Sequence, residues 1–173
     1  MKKHTYTNNN LNQALNGEAL SLVKYTLWGE KAEAEGYPEI SECYKVAARN
    51  ELSRARIWMD ELGLNGSLNE NLQNSVNEEK EKNERFTMYA VDAENEGFDQ
   101  LKNKFLDTSV AIENQMNVFS NLNSRLVSDE LFISENENSK WRCYNCGFVS
   151  KGEAPPTRCP LCSRNETWFS KIE

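Results

Sequence analysis

Two Cys-x-x-Cys pairs, Cys143/Cys146 and Cys159/Cys162, lie twelve residues apart near the C-terminal end of the chain. No other feature constrains the fold as tightly. Each pair suits a knuckle-like turn, and two knuckles face to face bring four sulfurs to tetrahedral angles around one metal ion. Gly147 lets the chain turn just after the first pair, and Pro160 stiffens the second. About 33 residues are too few to bury a stable core unaided. Metal binding worth roughly 10 to 16 kcal/mol in comparable zinc sites can supply the difference. Trp141, Tyr144, Phe148, Trp168 and Phe169 are expected to pack around the site. Spacing alone leaves two readings open, a structural zinc ribbon or an iron site that changes valence. Four of the five cysteines fall in these pairs, a usage that fits metal ligation in a reducing compartment better than a disulfide framework.

The preceding residues have a different composition. Glu, Lys, Leu, Ala and Gln dominate, which predicts an all-α region. Gly36-Tyr37-Pro38 ends one helix and starts the next, Gly63 to Ser67 ends the second, and Glu96-Gly97-Phe98 separates the third from the fourth. Helices are expected at about 9–35, 38–62, 69–95 and 98–130, and short turns between long helices make an antiparallel bundle the default. Domain limits follow at 1–130 for the helices, 131–140 for a polar linker and 141–173 for the cysteine module.

Spacing of three and four residues sets the inward faces. Helix 1 offers Leu11, Leu15, Glu18, Leu22, Tyr25, Gly29 and Ala32, while helix 2 offers Ile40, Tyr44, Ala47, Glu51, Arg54, Trp58 and Leu62. Helix 4 offers Leu101, Phe105, Thr108, Ile112, Gln115, Phe119, Leu122 and Leu126. Helix 3 is too polar for periodicity to set its inward face. Glu18, Glu51 and Arg54 are thus charged residues on mostly apolar stripes. Tyr25 is expected to bond to Glu18 or its neighbours, and Cys43 to lie near the core.

Charge and hydropathy exclude other classes. With 20 Lys plus Arg against 27 Asp plus Glu the net charge is -7, which disfavours nucleic-acid binding and weakly favours basic or metal-rich partners. No run reaches the ~18 apolar residues of a membrane span. The N-terminus has no apolar core of a secretory signal, so a soluble, intracellular protein is expected. The single histidine, His4, lies in the Asn-rich start and is expected in solvent, not on a metal.

Several segments carry a family resemblance. Trp141-Arg142-Cys143-x-x-Cys146-Gly147-Phe148, Ala154-Pro155 and Cys159-Pro160-x-Cys162 resemble the rubredoxin-like domain of rubrerythrins. Gly17-Glu18, Lys24-Tyr25-Thr26, Glu30-Lys31-Ala32-Glu33 and Glu35 to Ile40 resemble that family's first helix and turn, and Glu94 to Phe98 its second hairpin. The resemblance implies a ferritin-like all-α four-helix bundle followed by a small metal-bound rubredoxin-like β module. It further implies peroxide reduction at a carboxylate-bridged diiron site fed with electrons by the cysteine centre, iron in preference to zinc there, a cytoplasmic location, a redox partner protein and a homodimer.

The family's iron pair uses Glu on helix 1, Glu-x-x-His on helix 2, Glu-x-x-Glu on helix 3 and Glu-x-x-His on helix 4. Matched without gaps, this chain offers Glu18, then Glu51 with Arg54, then Glu78 with Glu81, then Ile112 with Gln115. Arg54, Ile112 and Gln115 therefore stand where the family has ligands. A guanidinium one turn from Glu51 can fork onto carboxylates and substitute for at least one iron. The functional expectation is a rubrerythrin-like iron redox protein that moves single electrons through Cys143, Cys146, Cys159 and Cys162. Its rivals are a non-enzymatic electron-transfer or assembly protein with an inert bundle, and a structural zinc module.

Overall fold

The computed structural model describes residues 5–172; His4 lies outside them. Four helices, α1 (Thr5–Ala34), α2 (Pro38–Glu61), α3 (Leu68–Asn95) and α4 (Asp99–Val127), precede three short strands. These are β1 (Lys140–Cys143), β2 (Val149–Lys151) and β3 (Phe169–Ile172), with a 3-10 turn at Glu166–Trp168. This is the fold class expected from the sequence, four long helices followed by a small antiparallel β module. No described helix is long and apolar enough to cross a membrane.

The chain divides into two compact units, Met1–Gly66 and Ser67–Glu173. In the first, α1 and α2 form an antiparallel hairpin. Its turn is closed by Gly36 N–H donating to the Glu33 carbonyl and Tyr37 N–H to the Ala32 carbonyl, with Gly36 at φ 81°. Only glycine takes that left-handed conformation without steric cost. Ala32, Ser41, Ala48 and Ala55 are buried between the helices, so the backbones approach closely. A Cβ on Gly29 would stand 3.3 Å from the Cβ of Tyr44. Tyr25, Trp28 and Tyr44 then cluster with ring centroids 5.8 to 5.9 Å apart.

In the second unit α3 begins at a capping box. The Ser67 hydroxyl accepts from Glu70 N–H while the Glu70 carboxylate accepts from Ser67 N–H at 2.8 Å, which satisfies two of the donors a helix start leaves open. The α3–α4 turn repeats the first one, with Gly97 at φ 79°, Gly97 N–H on the Glu94 carbonyl and Phe98 N–H on the Ala93 carbonyl. Phe86, Tyr89 and Phe105 form a second aromatic triad at 5.6 to 5.9 Å.

These parallels obey one rule: the hairpins match at a constant offset of 61 residues. Tyr25, Trp28, Ala32, Gly36 and Tyr44 correspond to Phe86, Tyr89, Ala93, Gly97 and Phe105. Each pair plays the same structural part in its own unit. The same offset carries Glu18 to Glu79, Glu51 to Ile112 and Arg54 to Gln115.

The inward faces differ in part from expectation. On α1 the expected stripe is turned inward throughout. On α2, Ile40 and Arg54 are exposed, and Ser41, Ala48 and Ala55 take the buried places, because close helix packing selects small side chains over bulky ones. On α4, Phe105, Thr108, Ile112, Phe119, Leu122 and Leu126 are covered, whereas Leu101 and Gln115 are exposed. Cys43, expected near the core, is exposed.

Candidate metal centres

The cysteine module is built around β1. The three strands run in the order β2-β1-β3, both pairings antiparallel, with Trp141 opposite Ser150 and Lys171, and Cys143 opposite Phe169. Alternation along β1 sends Trp141 and Cys143 to the same face, where both are buried with Cys159 and Phe169. The Trp141 side chain is fully covered, and its indole N–H donates to the Gly152 carbonyl at 2.9 Å. Phe132, Phe148, Cys146 and Cys162 pack against this cluster.

Two knuckles repeat each other at an offset of 16 residues. Cys143 N–H donates to the Phe148 carbonyl and Gly147 N–H to the Cys143 carbonyl; Cys159 N–H donates to the Arg164 carbonyl and Ser163 N–H to the Cys159 carbonyl. Gly147 has φ 78° and its counterpart Ser163 φ 60°. The first knuckle thus uses glycine at the left-handed position and the second accepts the strain of a serine there.

This pairing brings the four sulfurs together. Cys143 and Cys162 Sγ are 3.7 Å apart, Cys146 and Cys159 Sγ 3.5 Å apart, and all four lie within 4.8 Å of one another. Bonds of ~2.3 Å to a tetrahedral ion imply sulfur–sulfur edges of about 3.8 Å, so the set fits one ion. All four cysteines are free, as the expected ligation requires. Cys143 and Cys159 are buried, whereas Cys146 and Cys162 are half-buried.

The two half-buried thiols are shifted in opposite directions. The Arg164 N–H aimed at Cys162 outweighs desolvation and brings that thiol down to about 6. At Cys146 the Phe148 N–H acts in the same direction, but burial and the neighbouring thiols together push it up to about 12. Four sulfurs this close cannot all ionise without a positive charge among them, which is what a metal ion provides.

Of the aromatics expected around the site, Trp141, Phe148 and Phe169 pack there, but Tyr144 is 71% exposed and contributes its backbone, donating N–H to the Trp168 carbonyl. Trp168 is partly exposed and carries the Arg164 guanidinium over its ring at 4.4 Å. Phe132 was missed by the sequence reading because it sits at the edge of a polar segment. Residues of that segment are tied to the module: Ser134 N–H donates to the Glu153 carbonyl, and Lys171 Nζ donates to the Ser134 hydroxyl at 2.9 Å.

The helical candidates are distributed differently. In the first unit, Arg54 Nε donates to Glu18 Oε2 at 2.8 Å, and its Nη2 reaches Glu51 Oε1 at 2.6 Å. Glu51 is buried and Glu18 half-buried, while Arg54 is exposed. Glu18 is held below the usual carboxylate range, first by a hydrogen bond with Glu51 and then by Arg54, against the opposing effect of burial. Tyr25, expected to bond to Glu18 or its neighbours, packs in the aromatic triad.

In the second unit the structure corrects the α3 register. Glu78 is exposed, and Glu81 has 72% of its side chain in solvent beside Arg85. The buried carboxylate on this helix is Glu79, paired with Lys82 Nζ at 2.7 Å. One residue along a helix turns a side chain by about 100°, so ungapped matching put the wrong pair inward. The 61-residue repeat, which takes Glu18 to Glu79, carried the right register. Ile112 is buried and Gln115 exposed on α4.

These residues do not fit the family's iron pair. Its imidazole positions hold Arg54 and Gln115, its helix-4 carboxylate position holds Ile112, and the inward Glu-x-x-Glu of helix 3 has become Glu79 with Lys82. Among the described residues, the helical carboxylates of neither unit gather into a group of three with metal-ligand spacing.

Comparison with known proteins agrees with the resemblance read from the sequence. Residues 141–170 match the model of the rubrerythrin, rubredoxin-like domain. The rubrerythrin of Nitratidesulfovibrio vulgaris is 26% identical, covering 98% of this chain and 96% of its own. The rubrerythrin of Clostridium perfringens is 28% identical over 96% of this chain and 94% of its own. A solved structure titled "Partially Reduced State of Nigerythrin" aligns at 21% identity with a TM-score of 0.37, covering 96% of this chain and 86% of that chain. Four helices, then a four-cysteine module that matches a rubredoxin-like domain, are the arrangement in which this chain is similar to the rubrerythrins.

Proposed function

We propose that this protein is an iron redox protein that transfers single electrons through Cys143, Cys146, Cys159 and Cys162. The observation that carries the reading is the pair of matched knuckles, which leave two of the four sulfurs buried and two half-buried. Held by these four thiolates, iron would supply a one-electron ferric–ferrous couple. The chain's own part is to bind, orient and shield. With four thiolates, such a site would carry one more negative charge when ferrous than when ferric. The N–H groups of Phe148 and Arg164, aimed at Cys146 and Cys162, stabilise that added charge. Trp141 and Phe169 keep water from the buried side. Cys146 and Cys162 form the outward edge through which a redox partner protein couples.

Metal analysis and reductive titration test this. The expected result is one iron per chain, with a visible ferric tetrathiolate absorption that bleaches with one electron equivalent. One zinc per chain and no visible absorption would overturn the redox reading in favour of a structural module.

A further inference from the structure

Carboxylates lying inward on helices need a partner, because burial without a countercharge is costly. In the rubrerythrin pattern the partner is iron. Here the partners are protein cations, and each hairpin supplies its own. The α1–α2 hairpin keeps two carboxylates, Glu18 and Glu51, and has gained an arginine, whose planar fork reaches both at 2.8 and 2.6 Å. The α3–α4 hairpin keeps one, Glu79, and has gained a lysine, whose point charge reaches one at 2.7 Å. At the place equivalent to Glu51 it has Ile112, which asks for no cation.

The donor geometry of each cation therefore matches the number of inward carboxylates in its hairpin, a fork for two and a point charge for one. Arg54 stands at a former imidazole position and Lys82 three residues beyond Glu79, where the family has a second Glu. Both cations stand at ligand positions and pair with the inward carboxylates, Arg54 with one charge for two of them and Lys82 with one for one. We propose that Arg54 and Lys82 are the resident counter-cations of this helical region, and that the helices hold no iron pair.

The test uses the full chain, purified without oxygen and incubated with excess Fe(II). Wild type carries one ion per chain, and the Cys143→Ser/Cys146→Ser variant carries none. A chelator strips the cysteine site but leaves the helical melting temperature, read by far-ultraviolet circular dichroism, unchanged. Arg54→Met, which leaves Glu18 and Glu51 without their guanidinium, lowers that temperature by about 5 °C or more, and adding Glu18→Leu and Glu51→Leu restores it. Two further ions per chain, lost on Glu51→Gln, would overturn the proposal, as would an Arg54→Met melting curve that superimposes on wild type. Finding zinc in the cysteine site would overturn the electron-transfer reading and leave this one standing.

Discussion

Replacing Trp141 with Phe isolates the contribution of one side chain to metal affinity. Trp141 lies on the central strand, fully buried, with its indole N–H on the Gly152 carbonyl. Phe keeps an aromatic ring but removes the donor. A buried carbonyl left without its partner costs about 1 to 3 kcal/mol, and the smaller ring leaves part of the indole space unfilled. About 2 to 3 kcal/mol in total is a reasonable sum for a partly relaxed site. In a module whose folding is driven by metal, that loss appears as weaker apparent binding. The expected effect is roughly 30- to 150-fold. Competition against a chelator of known affinity measures it. Trp168→Phe is the control, since that ring is partly exposed and its main contact is the Arg164 guanidinium; a cation–π loss of about 0.5 to 1 kcal/mol predicts at most a fivefold change. A Trp141→Phe affinity within ~3-fold of wild type would refute the link between core packing and metal retention.

Other expectations follow from the same contacts. Cys159→Ser, at a buried ligand position, abolishes tetrathiolate absorption and unfolds residues 141–170 while the helical circular dichroism persists, because the helices do not draw on that metal. The two knuckles respond oppositely to Cβ changes: Ser163→Gly relieves a φ of 60° and stabilises the module by up to ~1 kcal/mol, whereas Gly147→Ala at φ 78° costs about the same, both read by chemical denaturation of the metal-loaded protein. At the start of α3, Ser67→Ala removes the cap and costs ~1 kcal/mol in urea unfolding. Glu70 is lowered by the Ser67 N–H and hydroxyl, so its contribution is complete above the unfolded carboxylate value and is lost as pH falls through the lower folded one. Wild type and Glu70→Gln should therefore differ near neutral pH and converge in acid.

The parts of this fold that were legible in the sequence are those where residue identity alone sets geometry. Cysteine spacing defined the knuckles, and Gly36, Pro38 and Gly97 marked the hairpin turns within a residue or two of where the helices end. What failed was register on surfaces where polarity does not alternate. On α3, Glu78, Glu79, Glu81 and Lys82 are all polar, so hydrophobic spacing could not choose among them. The internal repeat could have, since aligning Gly36-Tyr37 with Gly97-Phe98 leads directly from Glu18 to Glu79. On α2 the error came from weighting size over fit: Ile40 is more hydrophobic than Ser41, but the narrow gap between α1 and α2 admits only the smaller side chain. Tyr144 and Phe132 show the same limit in the module, where a large ring proved to be exposed and another lay hidden at the edge of a polar segment.

Register also decides how the substituted positions are understood. With Glu79 and Lys82 inward, each hairpin pairs its inward carboxylates with a cation of its own. The replacement of ligands then reads as a coupled set: a guanidinium where two carboxylates remain, an ammonium where one remains, and an isoleucine where a carboxylate was removed. Such a set stabilises helices without metal. Among the described residues, the four cysteines are the one group of three or more metal-ligand side chains placed to share a single ion. That group lies within residues 143–162, where the sulfur spacing fits a single ion.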